Sequence, residues 1–144
     1  MSVEVYVFLN ASDLPSSAAW QAAIRTAEFP IDLDSTFNPK QHSGFVPCKF
    51  SGSATGFEYL LSSQEDVVSA YPDLQRLVRP YDSAVSFSWG GDLNECGAAI
   101  LTAAVLTKLC SGVMYDPQDD LRLTGIEPIS YARQLLGQIV KSGH

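Results

Sequence analysis

The stretch AVSFSWGGDLNECGAAILTAAVLTKL, residues 84–109, decides the fold. Ala84, Val85 and Phe87 precede Trp89 in a run that alternates with Ser86 and Ser88, the two-residue period of a strand with one apolar face. Gly90 and Gly91 let that strand turn sharply. Asp92-Leu93-Asn94-Glu95 then has the spacing of a capping box, in which the aspartate accepts from the amide three residues on and Glu95 reaches back. Both carboxylates stand at the positive end of the coming helix dipole, an attraction worth about 0.3–1 kcal/mol each. From Leu93 to Leu109 the residues are apolar nearly all round and often small, which predicts a buried central helix. Gly112 is read as its closing glycine and Val113-Met114-Tyr115 as the next strand. Strand, helix and strand at this spacing predict a βαβ crossover, right-handed if the two strands share a sheet.

Upstream, Val3, Val5 and Val7 alternate with Glu4, Tyr6 and Phe8 in a first strand. Asp13-Leu14-Pro15-Ser16-Ser17 opens a helix through Trp20, Ala23, Ile24 and Ala27 that Phe29-Pro30 ends. A short strand at 31–33 precedes a polar loop at 34–43 that is expected to be exposed. Phe45–Phe50 and Gly56–Leu61 form a hairpin joined by Ser51–Thr55, with Pro47 marking an edge or a bulge. Gln64–Val78, interrupted by Tyr71-Pro72, reads as two short helical turns. After an acidic turn, Ile129, Leu135, Leu136, Ile139 and Val140 mark a C-terminal amphipathic helix. The expectation is therefore a single α+β domain over residues 1–144, with a mixed sheet of about five strands around helix 93–109.

Nine Lys and Arg against 16 Asp and Glu give a net charge of −7, which argues against nucleic acid and suits a basic partner. Three cysteines, Cys48, Cys96 and Cys110, without a paired spacing point to reduced thiols and a cytoplasmic protein. The N-terminus has neither a basic region nor a long apolar one, and Ala98–Leu109 falls short of a membrane span, so neither a signal peptide nor a membrane partner is expected. His42 and Cys48 could meet as base and nucleophile, whereas His144 lies in a terminal tail. Two histidines without ligand spacing predict no metal, and the absence of a phosphate-binding glycine motif predicts no cofactor.

The acidic positions fall in groups. Asp32 and Asp34, then Glu58, Glu65 and Asp66, then Asp116, Asp119 and Asp120 are candidate partner-binding residues, with Tyr59 among the aromatics that could anchor an interface. Phe29, Phe37 and Tyr71 are read in the same way, and each has core packing as its alternative. Asp92 and Glu95 are assigned to the helix cap, and no residue is assigned to catalysis.

In size, acidity, α+β make-up and the strand-WGGD-helix pattern, the chain resembles the small bacterial immunity proteins paired with polymorphic or secreted toxins. The resemblance implies a cytoplasmic binding protein, a monomer or weak homodimer, that neutralises a cognate toxin by covering its active site. The alternative is a small-ligand-binding or enzymatic domain at the ends of the strands, using Asp92, Glu95 or Cys96 with Asp116, where a pocket and a carboxyl of raised pKa are expected. A third reading, an oligomer subunit, would pair edge strands through Phe45–Phe50.

Overall fold

A computed structural model describes residues 3–142. Its strands are β1 (Val3–Leu9), β2 (Ile31–Leu33), β3 (Gly44–Phe50), β4 (Ser53–Ser63), β5 (Ser83–Trp89), β6 (Val113–Asp116) and β7 (Leu121–Leu123). Its α-helices are α1 (Ser17–Thr26), α2 (Gln64–Ala70), α3 (Gln75–Val78), α4 (Leu93–Cys110) and α5 (Glu127–Ser142). One sheet in the order β2-β3-β4-β5-β1-β6-β7 holds all seven strands, and every neighbouring pair is antiparallel. The α+β class stands, but the sheet has seven strands rather than about five and its pairings are not mixed. β5 and β6 both run against β1, one on each side, so they are parallel to each other. The α4 crossover therefore exists, with β1 slotted between its two strands.

Alternation sorts the strand residues onto two faces. Val5, Val7, Val46, Phe50, Phe57, Tyr59, Val85, Phe87 and Met114 point inward against α4, which α1 and α5 flank. Trp20 on α1 packs edge-on to Phe87 and donates its indole N–H to the Thr102 carbonyl at 3.1 Å. By length and composition α4 could cross a membrane, yet 67% of it is buried inside this fold. Gly97 brings it close: a Cβ there would stand 2.3 Å from the Phe50 ring and 2.8 Å from Ile139.

Several local expectations are corrected. Ser51 and Gly52 alone join β3 to β4, both with positive φ (50° and 83°), the paired left-handed geometry that matches strand twist. β4 is correspondingly longer. The left-handed residue closing α4 is Ser111 (φ 51°) rather than Gly112. Gly112 serves another need, because a Cβ on it would lie 2.3 Å from the Phe8 carbonyl oxygen. Loop 34–43 is largely exposed, as expected, but it is anchored at two points: Phe37 is buried, and Tyr59 donates its hydroxyl hydrogen to the Pro39 carbonyl.

Candidate functional site

The centre of the sheet's inner face is covered by helices, and the outer face only in part. Val67, Leu74 and Val78 of residues 64–82 close over Tyr6, Phe8, Val113 and Tyr115. The other half, built by β3 and β4 with the flank of β5, is left to solvent, and on it Phe45 is 50% and Leu60 49% exposed. Register sets its chemistry. Phe45 pairs with Glu58, Glu58 with Ser88 and Ser88 with Glu4, which makes one row across four strands. Leu60, Ser86 and Tyr6 form the adjacent row. Neighbouring strands lie about 4.8 Å apart, so the two carboxylates flank the small Ser88 on a shallow apolar surface. Tyr6 donates to Glu4 at 2.6 Å, and burial together with this carboxylate raises the phenol above its ordinary pKa.

The candidate residues scatter around that face. Glu58 stands on it. Tyr59, one residue on, points to the opposite face and is 1% exposed among Trp20, Phe37 and Phe87, so it offers no surface to a partner. Phe29 and Phe37 are likewise core residues, while Tyr71 lies edge-on to Tyr6 and Tyr115. Asp32 and Asp34 line a hollow of about 450 Å³ at the β2–β3 edge, where Asp32 stands 3.8 Å from Arg25. Glu65 and Asp66 lie in the first turn of α2, beyond the far end of β4. Asp120 accepts from Arg122 at 3.3 Å and from Tyr115 at 3.2 Å.

Asp116 closes β6 at the end of the sheet where α4 begins. It is 6% exposed and accepts from the Gln118 amide at 3.0 Å, which pins the turn into β7. Burial raises its carboxyl above the usual carboxylate range, with Asp119 adding to the effect, while the Gln118 amide and the Tyr131 hydroxyl oppose it. Cys96 faces this carboxylate, and burial first and Asp116 second raise its thiol. The expected grouping of Cys96 with Asp116 is thus present, but both shifts work against a thiolate nucleophile. Asp92 is the N-cap of α4, its carboxylate accepting from the Asn94 amide at 3.2 Å rather than from Glu95. Glu95 reaches back two residues further than a capping box would, accepting from the Gly90 amide rather than that of Asp92, at 3.3 Å.

His42 and Cys48 form no catalytic pair. The His42 Nε2 donates to the Phe45 carbonyl at 2.8 Å, and burial, aided by Asp32, pushes the Cys48 thiol up to about 12. That histidine also answers the edge question. β2 pairs only with Cys48–Phe50, and of the free part of β3 the Phe45 carbonyl is taken by His42, the Pro47 carbonyl by the Asp34 amide, and Pro47 has no N–H. Strand addition there is blocked. His144 lies outside the described residues. Among those described, no group of three or more His, Cys, Asp or Glu side chains could hold a metal ion.

Sequence reasoning missed Phe45 and Leu60 as surface residues, since an apolar strand residue is ordinarily assigned to a core. The even-numbered serines of β5 are the signal that one side of this strand is solvated. No protein-family model, curated protein or solved structure matches the chain.

Proposed function

We propose that the protein is a cytoplasmic immunity-type inhibitor that neutralises a basic cognate toxin by laying the open half of its sheet over the toxin's active site. The row Phe45, Glu58, Ser88 and Glu4, with Leu60 beside it, carries this reading. Exposed large apolar side chains flanked by carboxylates suit a partner that presents cations around an apolar patch, and the net charge of −7 steers such a partner in. A sheet face held from behind by α4 is rigid, so little ordering entropy is lost on docking.

The test is capture from host lysate with wild type and with Leu60→Lys and Glu58→Lys variants of unchanged melting temperature. The expected result is a basic protein retained by wild type, released as salt rises and lost with either variant. That protein, expressed alone, should arrest growth, and co-expression of wild type but not of the variants should restore it. Equal capture by all three proteins, or a captured protein that is harmless, overturns the reading.

A further inference from the structure

On the helical side of the sheet, α1 and α5 both pack on α4 but do not close over it. A groove of about 460 Å³ remains between them, with α4 as its floor. Small residues keep it open: Ala23 and Ala27 stand one turn apart on α1, where larger side chains would fill the gap. Val105 lies at the bottom, 2% exposed, and Leu109 and Ile129 supply aliphatic walls. Charge is its second feature. Lys108 on α4 and Arg133 on α5 line the groove, and no carboxylate does. Glu28, next in the chain to Ala27, is exposed and does not line it. Neither cation belongs to the ion pairs found among the described residues, which join Arg25 to Asp32 and Arg122 to Asp120. Arg133 is placed instead by an aromatic ring, its guanidinium carbon 5.5 Å from the Phe29 centroid. In a chain of net charge −7, two cations beside one aliphatic groove reverse the local sign.

We infer that this groove binds a small amphipathic carboxylate of the medium-chain fatty-acid class, its aliphatic body against Val105, Leu109 and Ile129 and its headgroup received by Lys108 and Arg133. A guanidinium whose flat face rests on a ring keeps its in-plane N–H groups for a carboxylate, which it can meet bidentately. The volume is that of a small-molecule site. A cation of the same shape would meet two like charges. A neutral chain would gain the apolar burial alone, and a bare anion only the attraction of two exposed charges that water screens. The groove belongs to the helical layer and includes no residue of the open face, so the inference is independent of the inhibitor reading.

The probe is octanoate, titrated into the full chain while the methyl NMR resonances of Ala23, Ala27, Val105 and Ile129 are followed. The Leu60 methyls, on the open face, serve as the internal reference. Octanoate should shift the groove methyls saturably and leave Leu60 still, 1-octanol should bind about tenfold more weakly, and octyltrimethylammonium and acetate should not bind. Arg133→Gln and Lys108→Gln, both at exposed positions, should each weaken octanoate by about threefold. Ala23→Leu keeps a good helix former and should fill the groove, abolishing binding with the melting temperature retained. No saturable shift at the groove methyls, or equal shifts at Leu60, overturns the site. Equal binding of octanoate and octanol overturns it too, because the two cations would then only lay their methylene stems along the groove. Groove resonances that move with protein concentration alone would seat a second copy there, and a response to a glutamate- and leucine-rich helical peptide but not to octanoate would seat a partner segment; either result overturns the small-ligand assignment.

Discussion

The two faces of this sheet follow the same alternation and meet opposite fates. On the inner face each apolar residue finds α4, a helix apolar all round that can be satisfied only when it is enclosed. On the outer face the cover, residues 64–82, reaches Tyr6, Phe8 and Tyr115 but leaves Phe45 and Leu60 bare. Period-two patterning therefore says which residues share a face. Whether that face is a core or a surface depends on how far the covering segment extends.

Four measurements bear on that contrast. Trp20→Ala removes the largest fully buried side chain from the core packed on the inner face and orphans the Thr102 carbonyl, so it should lower stability by about 3–5 kcal/mol in denaturant unfolding. A loss under 1 kcal/mol would mean that the inner face is not the core. Asp92→Ala removes the α4 cap and should cost about 1 kcal/mol without weakening partner capture. Loss of capture at intact stability would move Asp92 from the fold to the site. For Asp116 the sign is set by a folded-state pKa above the unfolded one: its contribution is fully present below the unfolded carboxylate pKa and is lost as pH rises through the raised value. Asp116→Asn should flatten the stability profile across that window; an unchanged slope would place the carboxyl in solvent. Leu60→Lys, on the open face, should change stability by no more than about 0.5 kcal/mol. A cost like that of Trp20→Ala would show that the outer face is covered after all.

Local features were legible where a local rule governs them. The β1 alternation, the α4 start at Asp92 and the break at Tyr71-Pro72 follow from periodicity, capping and proline geometry. β7 was not visible, since three residues with only Arg122 turned outward carry no period. The sheet order was not visible either, because pairing Val3 with Trp89 is a matter of long-range register. The same limit hid the open face: Phe45, Glu58, Ser88 and Glu4 come into one row only through the β3–β4, β4–β5 and β1–β5 ladders.

The slot that β1 occupies between β5 and β6 has a consequence for biosynthesis. β1 leaves the ribosome well before either of its neighbours, β5 and β6, which at about 5–20 residues per second follow several seconds later. Until then a strongly apolar Val3–Leu9 waits without a partner. The nascent chain should depend on chaperones in that interval, and it should acquire protease resistance only after β6 has emerged.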